Sequence, residues 1–119
     1  MMKKFILLIT LALFIGTLTK GQTISCQELF ETVTKNNTRT SYVTCIGSTM
    51  LVKVDYYTYK GTGYVVAYIK RNQYDFRGTP YIFCGISSHR WSTFRAKGMT
   101  DSWGKAFHEY IMDNKCNCY

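Results

Sequence analysis

Five cysteines, two histidines and a band of tyrosines beside arginines are the side chains of this 119-residue sequence that could do chemistry. Cys26, Cys45, Cys84, Cys116 and Cys118 could form disulfides, ligate a metal or supply a nucleophile, and His89 and His108 could serve as acid, base or ligand. Catalysis by Cys84 with either histidine needs a nucleophile, a base and an orienting carboxylate at a recognisable spacing, and the sequence has no such set. Zinc on Cys116, Cys118 and His108 would rest on a lone Cys-x-Cys, a weaker frame than paired Cys-x-x-Cys knuckles. Neither an enzyme nor a resident metal or cofactor is expected.

Binding suits these residue types better. If strand alternation puts Val52, Val54, Val65, Ala67, Ile69, Ile82 and Cys84 on one side of a sheet, then Tyr57, Tyr59, Tyr64, Tyr68, Tyr81 and Phe83 share the other. Bases or sugars stack on such rings, each base for about 1 to 3 kcal/mol. Between residues 70 and 97, Lys70, Arg71, Arg77, Arg90, Arg95 and Lys97 face the single acid Asp75, a run suited to phosphate or anionic glycan. Tyr57, Tyr59, Tyr68, Lys70, Arg71, Arg77, Tyr81 and Phe83 are therefore the candidate contact residues. A plainer reading competes and is the stronger one: an amphipathic helix needs a sheet face to cover, and the cations form an ordinary solvated surface.

The elements that must position these residues lie in the portion expected to be exported. Lys3 and Lys4 precede an almost unbroken apolar run over residues 5–18 and then Thr19, Lys20 and Gly21, the order of a secretory signal. The run is short for a span of roughly 20 residues. Residues 1–21 are read as a signal peptide, 22–47 as an N-terminal helix and extension, and 48–119 as the main domain. Removing the leader leaves 12 basic against 7 acidic groups, a mildly basic chain of about 98 residues with all five cysteines in an oxidising, secreted or periplasmic setting. A hydrophobic share of 46%, one proline and the absence of repeats exclude a disordered or multidomain chain. Asn36-Asn37-Thr38 fits a glycosylation sequon.

Ser25 and Glu28 form a capping box ahead of Cys26, Leu29, Phe30 and Val33, which predicts an amphipathic helix over residues 25–35 that stops in Asn36 and Asn37. Residues 42–46 read as a short extended piece. Strands are predicted over 50–59, 64–71 and 81–86, with Lys60, Gly61, Thr62 and Gly63 as the positive-φ turn of a hairpin. Ser87 or Ser88 can cap a short helix that carries Trp91 and Phe94 and ends at Gly98. Asp101 or Thr100 can cap a second, whose Trp103, Ala106, Phe107, Tyr110 and Ile111 must be buried. Cys84, inside an apolar strand, reads as a small buried hydrophobe. The expected cross-link then joins Cys26 or Cys45 to Cys116 or Cys118.

This order of strands and helices, with Tyr81 and Phe83, the Ser102-x-Gly104-x-x-Phe107 run and Ile111, resembles the KTSC domain, a short module also found at the end of some lysyl-tRNA synthetases. The resemblance covers residues 48–114. The family's second aromatic position is usually tyrosine and a Val-Pro step follows, where this chain has Phe83 and Ile86-Ser87. The resemblance implies three strands and two helices, and it brings a suggestion of RNA binding. The expected molecule is thus an exported α+β domain: a three-stranded antiparallel meander followed by two helices, with an N-terminal amphipathic helix after the signal peptide. Its expected role is binding, with an unknown macromolecule or envelope component as partner. Nucleic-acid binding is the alternative, and hydrolysis at a site without a recognised motif is the third reading.

Overall fold

Two valine- and tyrosine-rich stretches joined by Lys60-Gly61 form the central hairpin of the protein, seen here in a computed structural model that describes residues 24–35 and 38–119. The apolar leader and the Asn36-Asn37 pair of the sequon lie outside the described residues. Lys60 and Gly61 have φ of 50° and 79°, and Tyr59 pairs with Thr62, so the turn is a two-residue type I′ loop whose twist matches its strands. Gly63, expected in the turn, lies within the second strand instead. A Cβ there would collide with the Ile86 carbonyl and the Tyr56 phenol, which bond to each other at 2.8 Å, so close approach is what requires glycine.

In chain order the elements are α1 (Cys26–Lys35), β1 (Ser41–Thr44), β2 (Leu51–Tyr59), β3 (Thr62–Ile69), β4 (Thr79–Cys84), α2 (Ser88–Thr100) and α3 (Trp103–Tyr110), then a 3₁₀ turn at Met112–Asn114. The class is α+β, with an antiparallel sheet of four strands in the order β1-β2-β3-β4 rather than three. The extra strand is the short extended piece near residue 42. It pairs with β2 through Val43 and Val54, and four residues carry too little alternation to announce that pairing in advance.

One face of the sheet packs on α2 and α3, burying Leu51, Val54, Tyr56, Val65, Ala67 and Phe83 against Trp91, Phe94, Phe107 and Ile111. The other packs on α1, where Val33 meets Tyr57, Val66 and Ile82. Two features change the expected sorting of side chains. A bulge between Leu51 and Lys53 inserts Val52 as an extra residue, so Leu51 rather than Val52 fills the helix-pair side. In β4 the register pairs Ala67 with Tyr81 and Val65 with Phe83, which puts Tyr81 and Phe83 with the aliphatic residues and Ile82 and Cys84 with the tyrosines, the reverse of the expected arrangement. A one-residue difference in pairing moves every side chain to the opposite face.

The helical half also differs at its joints. Ser87 caps α2 as expected, its Oγ accepting from Arg90 N at 3.1 Å. The helix runs past Gly98 to Thr100, because Gly98 is buried under the Trp103 ring, whose carbons would occupy the place of a Cβ. Asp101 closes α2 by donating its N–H to Lys97 O, and the cap of α3 is Ser102, which accepts from Lys105 N at 3.3 Å.

Disulfides join Cys26 to Cys118 and Cys84 to Cys116. Cys84 is thus a cross-linked residue, and Cys45, expected among the bridging candidates, is the free thiol. Strand parity explains the choice. Cys45 shares the helix-pair core with Val43, whereas the other four cysteines cluster on the α1 side. Burial pushes the Cys45 thiol from its ordinary 9.0 up to about 12. A thiol titration is expected to read nothing in the native protein and one group per chain after unfolding without reductant. Since folding favours the protonated thiol, its contribution to stability is complete below pH 9 and is lost as pH rises towards 12. Native labelling at neutral pH would refute this.

Candidate binding groove

The segment after α3 folds back along β4 and builds an apolar groove beside it. Ile111 closes α3 with an N–H bond to Phe107 O, and Asn114 N donates to Ile111 O, which tightens the chain into the 3₁₀ turn. Asn114 then ties the turn to the sheet, its Nδ2 donating to Cys84 O at 3.3 Å while Arg90 donates to its Oδ1 at 3.1 Å. Lys115 bridges Phe83, Cys116 is bonded to Cys84, and Cys118 is bonded to Cys26 of α1. Finally, the Tyr119 hydroxyl accepts the Ile82 N–H at 2.6 Å. The strap also protects an edge strand, since Pro80 has no N–H to offer and the Ile82 donor is taken.

Between strap and sheet lies a groove of about 340 Å³ lined by Met50, Ile69, Tyr81, Phe83, Met112, Lys115 and Tyr119. That volume is at the small end of the roughly 300 to 1,000 Å³ usual for ligand sites. Phe83 is buried, Tyr81 and Tyr119 are exposed, and the two tyrosine rings stand 6.4 Å apart at 40°. Two methionines give the walls adaptable shape. Lys115 is exposed and makes no ion pair among the described residues. Burial pushes the Tyr119 phenol above its usual value, and the Ile82 N–H bond opposes that shift. The arrangement can hold an apolar group and place a positive charge and two phenols at its rim.

Of the eight residues expected to make contact, only Tyr81 and Phe83 line this groove. Tyr57 is buried, and Tyr59 and Tyr68 are half-buried, on the opposite face beside α1. There, Arg39 and Lys53 meet the buried Asp55 at 3.3 and 3.6 Å, and Lys53 also sits 4.6 Å from the Tyr68 ring centre. Burial, then the Asp55 charge, raises the Tyr57 and Tyr68 hydroxyls, with Arg39 acting against both. Lys70 donates to Ser48 O at 3.0 Å, Arg71 pairs with Asp75 at 3.3 Å, and Arg77 is exposed in the same β3–β4 loop. Ile69 lies on the aliphatic side that strand alternation predicts, whereas Met112, Lys115 and Tyr119 carried no periodic signal, because the chain reversal after α3 is what brings them to the sheet.

His89 and His108 are exposed on α2 and α3 and enter no ion pair among the described residues. With Cys116 and Cys118 in separate disulfides, the zinc set considered with His108 is dismantled, and no cluster of three or more His, Cys, Asp or Glu among the described residues could hold a metal. No helix among them is long and apolar enough to cross a membrane. No family model, curated protein or solved structure matches this chain.

Proposed function

We propose that the protein is an exported binding module, KTSC-like over residues 48–114, whose ligand site is the groove between β4 and the C-terminal strap. The observation that carries this reading is an apolar cleft between the sheet and a strap that disulfides tie to β4 and α1, with the exposed cation Lys115 in its lining. Folding ordinarily closes such surface, since each Å² of apolar area left wet forgoes about 25 cal/mol. The ligand class is an apolar group, aromatic or branched, joined to an anion. Its body packs on Phe83 and against the Tyr81 and Tyr119 rings, and its charge meets Lys115. Two disulfide pairs are compatible with an oxidising compartment, which supports a secreted or periplasmic setting.

RNA binding through the β2 and β3 tyrosines is the weaker reading, because Tyr57 is buried and Asp55 engages Arg39 and Lys53. Hydrolysis is weaker still, with both histidines on the surface and unpaired with any acid among the described residues. Anilinonaphthalene sulfonate, an aromatic anion that brightens in apolar sites, serves as the probe. One saturable site is expected, weakened about ten-fold, or 1.4 kcal/mol, by Lys115→Glu and abolished by Met112→Asp. Binding that ignores both substitutions would defeat the assignment.

A further inference from the structure

The four most exposed large apolar side chains among the described residues are Ile46 at 84%, Phe76 at 76%, Tyr74 at 73% and Met99 at 71%. They stand on two loops and on the last turn of α2, yet the topology gathers them. In an antiparallel sheet ordered β1-β2-β3-β4, the β1–β2 and β3–β4 loops leave the same end. Lys70 clamps those loops together, its N donating to Met50 O at 2.8 Å and its Nζ to Ser48 O at 3.0 Å. Ile46, Ser48, Gly98, Met99 and Trp103 line one shallow depression, which brings the last turn of α2 to that end as well.

We propose that this end of the protein docks on the surface of an anionic lipid bilayer. The charges there favour it. Lys70, Arg71, Arg77, Lys97 and Lys105 face only Asp75 and Asp101 among the described residues of these segments. Asp75 is turned inward, accepting from Arg71 N at 3.1 Å, Arg71 Nε at 3.3 Å and Gly78 N at 3.0 Å, and Asp101 is paired with Lys105 at 3.5 Å. The inward carboxylate and the bond from Tyr74 N to Asn72 Oδ1 at 2.8 Å make the β3–β4 loop a preset turn that displays Tyr74 and Phe76. Separate apolar tips amid cations match a bilayer interface, where rings and aliphatic chains enter between lipids and arginines meet headgroups. A protein partner would instead favour one continuous complementary patch.

Co-sedimentation with phosphatidylglycerol–phosphatidylcholine vesicles tests this with the exported protein. An uncleaved apolar leader would bind vesicles by itself, so parent and variants are prepared identically and compared. Retention is expected to fall about ten-fold in a Tyr74→Asp, Phe76→Asp variant, and similarly in Arg77→Glu, and to be much weaker on pure phosphatidylcholine. These positions are exposed, so thermal midpoints should not move, and the probe bound at the Lys115 groove should be retained by both variants. A Phe76→Trp variant should shift its emission to the blue with anionic vesicles. Equal retention of parent and loop variants, equal retention on neutral vesicles, or an unshifted Phe76→Trp spectrum would each overturn the proposal.

Discussion

Replacing Cys26 and Cys118 together by serine is expected to lower the unfolding free energy by about 4 to 5 kcal/mol, since the bridge closes a loop across 92 positions. A domain of this size has only about 5 to 15 kcal/mol of stability, so the loss is a large share of the whole. Location adds a second consequence. Cys26 opens α1, the helix that covers the tyrosine side of the sheet, and Cys118 precedes Tyr119, which walls the groove. Without the bridge, α1 is held by its apolar stripe alone, and Tyr119 by its contacts with Ile82 and Tyr81. Urea denaturation of parent and double variant measures the difference, and probe affinity should drop in parallel while the Cys84–Cys116 bridge still holds Lys115 in place. A shift below about 1 kcal/mol would show that the unfolded chain gains little from release.

Phe107→Ala should cost about 3 to 5 kcal/mol, the range for emptying a large aromatic site that cannot collapse. The ring is fully buried on α3 and meets Phe83 of the sheet edge-on at 5.3 Å and Phe94 of α2 at 6.4 Å. It therefore contacts both partners of its layer at once, and neither can move in without leaving the other. Phe107→Leu should lose markedly less, because most of the volume is restored. Calorimetric midpoints of the two variants make the comparison, and equal losses would mean that the edge-on ring geometry, rather than the filled volume, dominates.

What could be read directly from the chain was what short-range chemistry determines. The Ser25–Glu28 capping box is present as written, with Glu28 N donating to Ser25 Oγ at 3.1 Å and Ser25 N to Glu28 Oε1 at 3.2 Å. The Lys60-Gly61 turn and the Ser87 cap were equally legible, each resting on partners within about four residues, and of the α3 stripe Ala106, Phe107 and Ile111 are buried while Trp103 and Tyr110 are partly so. Near misses mark the limit of that range. Asp101 or Thr100 was the expected cap of α3, but Ser102, one residue further on, takes that place, and Gly98 looked like a stop until Trp103 folded over it.

Register, cysteine pairing and the groove were decided only in three dimensions. The parity of β4 is fixed by its pairing with β3, Ala67 opposite Tyr81 and Val65 opposite Phe83, which exchanged Tyr81 and Phe83 for Ile82 and Cys84. That exchange put Cys84 within reach of Cys116, left Cys45 alone on the far side, and supplied the floor of the groove. The amino-acid order by itself determined the class of the fold, its helices and its central hairpin, because capping, turn and periodicity energies act between near neighbours. Only the tertiary structure decided which face each β4 side chain occupies and where the strap returns, because those depend on contacts between residues dozens of positions apart.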